Sequence, residues 1–295
     1  MTGFKIGTRG SALALAQAES VAEALGGAEL VPIETSGDRG SGGDKARFVR
    51  EIERALLDGE VDLAVHSAKD LPGELPEGLA LVGVSAREDP ADAWVGEASS
   101  LGDVPAGARV GTSSLRRRAQ LLALREDLEV VALRGNVDTR LRKLASEGLD
   151  GIVLAAAGLT RLGRDGEAAF RFGEEEMTPA PGQGTLAIEA RGDREDAAEA
   201  AASITDPTAL VELTAERAAV TGLEATCNTP VGVRARLEAE RLELTGFAGL
   251  PDGTRWVRDS LWGDPEQPAG LGAELAERML AAGAREVLEL AEEAA

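Results

Sequence analysis

The sequence is poor in several residue types, and each shortage limits what the protein can be. One of its 295 residues is a cysteine, Cys227, so an internal disulfide and a cluster of cysteine metal ligands are both excluded. Aromatic residues make up 3% of the chain and hydrophobic residues 43%, so the core must consist largely of alanine, leucine and valine. No apolar run is long enough to span a membrane, and the N-terminus MTGFKIGTRG lacks a signal-peptide core. These absences predict a soluble cytoplasmic protein that binds no metal.

Lysine, and positive charge in general, is also scarce. The chain has 52 acidic and 31 basic residues, a formal net charge of −21, and its lysines are Lys5, Lys45, Lys69 and Lys143. Self-repulsion of such an acidic surface is tolerable where salt screens it, so the composition predicts a halophilic protein in a salty cytoplasm. A pI near 4.5 argues against nucleic acid as the main partner. A small anionic ligand is still compatible with this composition wherever basic residues cluster.

The first part of the chain alternates strand-like and helix-like segments, which is typical of parallel sheets with crossover helices. A second unit of this kind follows REDPADAW, and the turn-rich segment TPAPGQG leads into a strand, TLAIEA, that returns to the first sheet. Beyond Asp206 a helix precedes two alternating strands that form a hairpin, and two alanine-rich helices end the chain. We predict an α/β fold with two similar parallel-rich units and a small α+β unit. The predicted domains are residues 1–87 with 184–203, residues 88–183, and residues 204–295.

Basic and polar residues are concentrated where predicted strands end, in the motifs TRGS, VHSAKD, GTSSLRR and LRGNVDTR. Ligands of open α/β sheets bind at the carboxyl ends of the strands, and the helices that follow GTSS and GNVD direct free N–H groups toward an anion. Successive helical residues lie about 100° apart, so three adjacent arginines cannot all face one ligand. We expect Arg116 and Arg117 to face it and Arg118 to face solvent or a salt bridge.

Several of these residues also have simpler explanations. A single arginine-rich turn is usually a solvated face, but two such turns together with Arg9 favour a site for a ligand with several carboxylates or phosphates. His66, the one histidine, suits a buried structural role as well as a functional one. Cys227 alone is most often a small core residue, but its position between Thr226 and Asn228 favours an exposed nucleophile or attachment point.

Taken together, the motifs resemble those of the hydroxymethylbilane synthase, or porphobilinogen deaminase, family of tetrapyrrole biosynthesis. The resemblance covers most of residues 4–232, in the order VHSAKDLP, REDPADAW, GTSSLRR, RGNVDTR, PAPGQG and CNTP. It implies two periplasmic-binding-protein-like domains with the active cleft between them, and a third domain. It also implies a monomeric transferase that joins four porphobilinogens head to tail, releases ammonia and finally frees hydroxymethylbilane.

The resemblance assigns roles to individual residues. Asp70 matches the catalytic carboxylate, and Cys227 matches the cysteine that holds a dipyrromethane cofactor, itself made from two substrate units, through a thioether. The residues expected to bind the cofactor are Ser67, Lys69, Thr112, Ser114, Arg116, Arg117, Arg134 and Arg140. The residues expected to bind substrate are Arg9, Ser11, Lys45, Phe48 and Gln183. Every pyrrole ring of such a substrate carries an acetate and a propionate, so the arginines suit a growing polycarboxylate.

A non-enzymatic function stays open beside this one. The predicted architecture also suits a two-domain receptor for a small polyanion. A third domain with a cysteine loop has no use in such a receptor, and the intact mass separates the two functions, because an enzyme of this family should carry two extra pyrrole units. In the enzyme, the carboxylate of Asp70 would stabilise the positive charge that develops on a pyrrole nitrogen.

Overall fold

Three β-sheets organise the chain in the computed structural model, which describes residues 3–35, 49–226 and 229–293. The strands of the first sheet are β1 (Lys5–Arg9), β2 (Glu29–Ile33), β3 (Leu63–Ser67), β4 (Leu79–Val84) and β10 (Leu186–Arg191). Their order is β2-β1-β3-β10-β4. The first three strands are parallel, whereas β10 is antiparallel to both of its neighbours. Strand β4 therefore joins the sheet through β10.

Helices pack on both faces of the first sheet. They are α1 (Ala12–Ala24), α2 (Arg50–Leu57) and α6 (Glu195–Ser203). Helices α1 and α6 cover the face that carries Val65, and α2 covers the face that carries Ala64, because successive strand residues point to opposite sides. Helix α1 begins at Ser11, whose hydroxyl accepts the Ala14 N–H at 3.3 Å, and ends before Gly26, whose φ of +79° favours glycine.

The second sheet repeats the arrangement of the first. Its strands are β5 (Asp92–Gly96), β6 (Arg109–Gly111), β7 (Glu129–Val131), β8 (Gly151–Ala155) and β9 (Phe170–Arg171), in the order β7-β6-β8-β5-β9. Its helices are α3 (Leu115–Leu124), α4 (Val137–Ser146) and α5 (Ala156–Arg161). Strands β6, β7 and β8 are parallel, and β5 is antiparallel to β8 and β9. In each sheet the antiparallel strand, β10 or β5, is fourth in the order. It is also the strand at which the chain arrives from the other unit.

The third unit is an antiparallel sheet with its helices packed on one face. It contains α7 (Pro207–Gly222), β11 (Val231–Glu238), β12 (Arg241–Gly249), β13 (Trp256–Gly263), α8 (Pro268–Ala281) and α9 (Ala284–Glu293). Asp206 caps α7 by accepting the Ala209 N–H at 2.7 Å, and Pro207 occupies the first helical turn, where its missing N–H costs nothing.

Two crossing segments, residues 86–91 and residues 178–185, connect the first two units. One carboxylate of α7, that of Glu216, contacts both of them. Its oxygens accept hydrogen bonds from the Arg87 guanidinium at 2.7 Å and from the Gly182 N–H at 2.6 Å. Glu216 is 1% exposed, so these bonds form in a buried site. The third unit is thereby bound to both crossing segments.

The predicted fold of two parallel-rich α/β units and a small α+β unit is confirmed. The predicted hairpin is present as β11 and β12, but a third strand, β13, extends it. The sequence pattern did not indicate β13 because Arg258 and Asp259 interrupt its apolar alternation. The domain boundaries given above stay predictions. Within the described ranges, no helix is both long enough and apolar enough to cross a bilayer.

Candidate active site

A cavity of about 90 Å³ lies between the first two units, where the parallel strands of both sheets end. The first unit lines it with polar residues, among them Arg9, Ser11, Ser67, Lys69 and Asp70. The second unit contributes Ala155, Ala157, Gly158 and Arg161, and the second crossing segment contributes Gly184. This is the edge at which doubly wound sheets bind their ligands.

Lys69 and Asp70 stand on a single helical turn, Ala68–Asp70, that directly follows β3. The turn is fixed from behind, because the Ala68 N–H donates to the Thr185 carbonyl at 3.0 Å. Gly182 packs so closely that a Cβ there would lie 2.9 Å from the Cβ of Ala68, and its φ of +73° also favours glycine. Both side chains are half-buried at the rim of the cavity. The second crossing segment therefore holds the turn that presents them.

Arg116 and Arg117 lie in the first turn of α3, and both contact a buried carboxylate, that of Asp92. Arg116 Nη1 is 2.7 Å from Asp92 Oδ2, and Arg117 Nη2 is 2.7 Å from Asp92 Oδ1. The arginines are 4% and 5% exposed, and they also donate to the carbonyls of Thr178 and Val153, respectively. The two arginines point into the protein together, and their contact with a ligand stays a prediction.

The other predicted arginines differ in exposure. Arg118 is exposed, its Nε donates to the Pro251 carbonyl at 3.1 Å, and its charge acts on the nearby carboxylate of Asp252, so it faces the third unit. Arg134 is also exposed, and it precedes Gly135, whose φ is +128°. Arg140 is largely buried, and its Nε has no hydrogen-bond partner among the described residues. Burial lowers the pKa of Arg140 to about 10; the positive charge of Arg117 acts in the same direction, and Asp70 opposes it.

Three predicted polar residues at strand ends form hydrogen bonds at the starts of helices, and a fourth, Arg9, ends a strand. The Ser11 hydroxyl caps α1, and the Ser114 hydroxyl caps α3 by accepting the Arg117 N–H at 3.4 Å. Thr112 is buried, and its hydroxyl accepts the Ser114 N–H at 3.2 Å. Arg9 is the last residue of β1 and lines the cavity. The start of α1 thus borders the cavity, and Thr112 and Ser114 order the start of α3.

Gln183 connects the second crossing segment to both sides of the cleft. Its Nε2 donates to Asp92 Oδ1 at 3.0 Å and to the Pro90 carbonyl at 2.6 Å. Its Oε1 accepts from Lys69 Nζ at 3.5 Å. A substrate-binding role for Gln183 stays a prediction, since its amide is engaged within the protein and the residue is 1% exposed.

Some residues of the cleft were not predicted from the sequence. Arg161 lines the cavity and donates to the Gly184 carbonyl at 2.6 Å; burial lowers its pKa, and Glu88 opposes this. Gln17 lines it from α1. Asp92 lies within the motif REDPADAW, but its role was not apparent from the sequence. With 52 acidic residues in the chain, nothing in the pattern singled out this one as the partner of two arginines.

His66 lies beside the cleft in a buried cluster with two glutamates. Its Nε2 is 3.2 Å from Glu189 Oε2 on the neighbouring strand β10. Glu53 of α2 also faces this cluster, and its pKa is raised by burial and by the negative charge of Glu189, while His66 and Arg50 oppose the shift. Both interpretations of His66 remain open, because it is buried and also borders the cavity.

Three predicted residues, Lys45, Phe48 and Cys227, lie outside the described residues. Thr226 and Thr229, the described residues that flank Cys227, are hydrogen-bonded to each other: the Thr226 N–H donates to the Thr229 hydroxyl at 2.7 Å. Across the described ranges, no group of three or more histidine, cysteine, aspartate or glutamate side chains is arranged to hold a metal ion.

Cations outnumber carboxylates around the cleft, although the whole chain is strongly acidic. The cations are Arg9, Lys69, Arg116, Arg117, Arg140 and Arg161, and the carboxylates near them are Asp70, Glu88 and Asp92. Guanidinium groups bind carboxylates through paired, charge-assisted hydrogen bonds. The cleft is therefore suited to a ligand that carries several carboxylates, with one half-buried carboxylate of the protein, Asp70, at its rim.

Two protein-family descriptions match the chain. Residues 4–199 match "Porphobilinogen deaminase, dipyromethane cofactor binding domain", and residues 210–281 match "Porphobilinogen deaminase, C-terminal domain". A porphobilinogen deaminase from Syntrophus aciditrophicus is 46% identical over 97% of this chain and 98% of its own length. Another, from a Roseiflexus species, is 47% identical over 96% of this chain and 97% of its own length. A solved sulfonate-binding periplasmic protein from Methylobacillus flagellatus aligns with 72% of this chain and 67% of its own, at 17% identity and a TM-score of 0.39.

Proposed function

The chain belongs to the porphobilinogen deaminase family, and from this premise we propose that Asp70 is the catalytic carboxylate of a cleft that builds a linear tetrapyrrole. The protein is a hydroxymethylbilane synthase, a transferase of tetrapyrrole biosynthesis that uses a dipyrromethane cofactor. The roles of individual residues form our proposal. We further propose that it works as a cytoplasmic monomer without nucleic-acid or membrane partners, as the family resemblance and the acidic composition imply.

One observation carries the assignment of the cleft, and it concerns Arg140. This buried guanidinium has no hydrogen-bond partner at Nε among the described residues, and another cation, Arg117, is near it. A buried cation that lacks a hydrogen-bond partner lowers the free energy of unfolding unless an anion completes the site. A carboxylate of a bound ligand would supply that partner.

The dipyrromethane cofactor fits this donor set because it carries acetate and propionate side chains. Cys227 would hold it covalently, and the residues that would bind its carboxylates and rings are Ser67, Lys69, Thr112, Ser114, Arg116, Arg117, Arg134 and Arg140. When bound, the cofactor supplies the pyrrole carbon to which substrate units are joined. We assign the substrate's own carboxylates to Arg9, Ser11, Lys45 and Gln183, with Phe48 beside the growing chain.

Asp70 performs the chemistry through its charge. Loss of ammonia from porphobilinogen leaves a cationic methylene pyrrole, and a fixed carboxylate beside the ring nitrogen stabilises that charge where it develops. The same carboxylate accepts the proton that must leave once the new carbon–carbon bond has formed. The turn Ala68–Asp70, held by the second crossing segment, provides the fixed position that this role requires.

The test of this function is the intact mass of the purified protein together with turnover of porphobilinogen. We expect the wild-type chain to carry the mass of two pyrrole units, to form hydroxymethylbilane and to release ammonia. Cys227→Ser should fold, lack the added mass and show no normal turnover. A wild-type chain with no added mass and no turnover, but with affinity for a small polycarboxylate, would instead establish the polyanion receptor.

A further inference from the structure

Asp92 is a fully buried carboxylate that holds two neighbouring arginines of the cleft. It is the first residue of β5, directly after the first crossing segment, and its side chain is 0% exposed. Arg117 binds it through Nε at 2.9 Å and Nη2 at 2.7 Å, and Arg116 binds its other oxygen through Nη1 at 2.7 Å. Asp92 itself has no exposed surface through which to touch substrate.

The same carboxylate is linked to the other side of the cleft. Asp92 Oδ1 accepts Gln183 Nε2 at 3.0 Å, and the far end of the Gln183 amide accepts Lys69 Nζ at 3.5 Å. Lys69 precedes Asp70 on the turn after β3. A chain of polar contacts therefore runs from Asp92 to the residue next to the proposed catalytic carboxylate.

Electrostatics make the two arginines dependent on Asp92. Burial alone would raise the pKa of Asp92, but the charges of Arg116 and Arg117 hold it well below its ordinary range, so the carboxylate stays ionised. Burial lowers the pKa of Arg117, and the charge of Asp92 opposes this. Two adjacent buried cations without a counter-ion would repel each other and turn toward other anions.

Arg116 and Arg117 differ in which of their nitrogen atoms are free to donate a hydrogen bond to a ligand. Arg117 uses Nε and Nη2 on Asp92, and Nη1 on the Val153 carbonyl. Within the described residues Arg116 donates through Nη1, to Asp92 and to the Thr178 carbonyl, which leaves its Nε and Nη2 for a ligand. The single negative charge of Asp92 thus neutralises one of the two positive charges. Its contact with Arg116 Nη1 also fixes the orientation of the Arg116 guanidinium.

We propose that Asp92 is a positioning residue of this enzyme, which holds Arg117 in place, orients Arg116 toward a ligand carboxylate and, through Gln183, keeps Lys69 beside Asp70. The inference rests on the proposed function of the cleft and deepens it. It assigns part of the ligand-binding geometry of the cleft to a fully buried carboxylate.

The test compares Asp92→Asn with a matched control, Asp89→Asn. Asp89 lies in the first crossing segment, three residues away, pairs with exposed Arg171 at 2.9 Å and does not line the cavity. Its Oδ1 accepts the Ala91 N–H at 2.8 Å, and an asparagine oxygen can accept the same bond. In folded protein, normalised by its cofactor mass, we expect kcat/KM of Asp92→Asn to fall about 10- to 100-fold, the range found when a group that orients a ligating side chain is removed. Covalent species with one to three added substrate units should accumulate in its intact-mass spectrum. Asp92→Glu should recover part of the loss, and Asp89→Asn should match wild type.

A purely structural role predicts a different pattern. In that case Asp92→Asn lowers the melting temperature and the fraction of active enzyme, while KM and the distribution of covalent intermediates stay as in Asp89→Asn; this result would overturn the proposal. A wild-type chain without cofactor and turnover would reject the proposed function instead. If Asp92→Asn does not fold, the double variant Asp92→Asn, Arg117→Met removes an opposite pair of charges and restores balance. Stalling no greater than in Arg117→Met alone would also refute positioning, and stalling beyond that of the single variant would support it.

Discussion

Replacing Arg140 by methionine should stabilise the cofactor-free protein and at the same time impair chain assembly. The change keeps an unbranched side chain of similar reach but removes a buried cation whose Nε lacks a partner among the described residues. Because the ligand that would complete the site is absent from the cofactor-free protein, the cation is a cost to folding there. Binding residues that are unfavourable for stability are a common trade-off in active sites.

The size of the effect can be worked from the pKa of Arg140. Burial and the charge of Arg117 lower this pKa from its ordinary value to about 10. At about 1.4 kcal/mol per pH unit, this corresponds to roughly 3 kcal/mol of unfavourable free energy for the charged form. Partial exposure of the side chain to solvent and the lost contacts of its apolar stem reduce the expected gain in unfolding free energy to about 1–2 kcal/mol. For a protein of this size we expect the melting temperature to rise by about 2–8 °C.

The pH dependence has a definite sign. A base whose pKa is lowered on folding destabilises the fold wherever it is protonated in both states, and the penalty fades as pH rises from about 10 toward its ordinary value. The stability advantage of Arg140→Met should therefore be constant from pH 7 to 9 and shrink above pH 10.

The assay is thermal unfolding, followed by circular dichroism, in a Cys227→Ser background so that no variant carries cofactor. Arg142→Met is the matched control, because Arg142 lies on the same helix α4 but is exposed, and it should change the unfolding free energy by less than about 0.5 kcal/mol. In the background with Cys227, Arg140→Met should lose at least about tenfold in kcat/KM, since a hydrogen bond to a charged group contributes about 1.5–3 kcal/mol. A melting temperature several degrees below that of Arg142→Met would show that Arg140 is structural and refute the reasoning.

Three further predictions follow from the cleft and the surface. Asp70→Asn should have the melting temperature of wild type and a kcat about 10²–10³ lower, which is the cost of losing one preorganised transition-state contact. Asp70→Glu should retain more activity. Normal turnover by folded Asp70→Asn would exclude the catalytic assignment. Arg134→Leu should slow chain assembly in a single-turnover assay, while Arg118→Leu, which loses contacts with the third unit, should not. Equal defects in the two variants would contradict the assignment. Melting temperature should rise with salt up to molar concentration because the net charge is −21, and a flat or falling series would remove the halophilic interpretation.

Helical periodicity in the sequence predicted part of the arginine arrangement, but not what the arginines contact. The 100° step between helical residues correctly separated exposed Arg118 from Arg116 and Arg117. The buried pair turned out to meet Asp92, which lies 24 residues before Arg116 and in a different element. Local patterns record which face of a helix is buried, whereas the partner on that face depends on how distant strands are ordered in the sheet. Sequence alone therefore indicated the cleft but not the polar contacts that organise it.

Strand β13 and the buried cluster around His66 could not be predicted from the sequence for a similar reason, because both depend on contacts between distant parts of the chain. Strand β13 carries Arg258, which reaches carbonyls of the second unit, so its polar residues serve contacts between units that no periodicity reveals. His66 meets Glu189 because β10 returns antiparallel beside β3, where Ala187 is opposite His66 and Glu189 is one diagonal step away. That pairing joins residues more than 120 positions apart, which a single sequence cannot predict from local signals.

The insertion of β10 between β3 and β4 has a consequence for the order of events during synthesis. Strands β1 to β4 leave the ribosome within the first 84 residues, but the strand that joins β4 to the others spans Leu186–Arg191. At typical translation rates the intervening hundred or so residues take on the order of 5–20 s. During that time β3 has an open edge and β4 has no neighbour, and the last strand of the second unit, β9, is synthesised before β10. All strands of the second unit are therefore synthesised before the first sheet can be completed. Until then, the open edge of β3 is the place where a chaperone or another nascent chain would bind first.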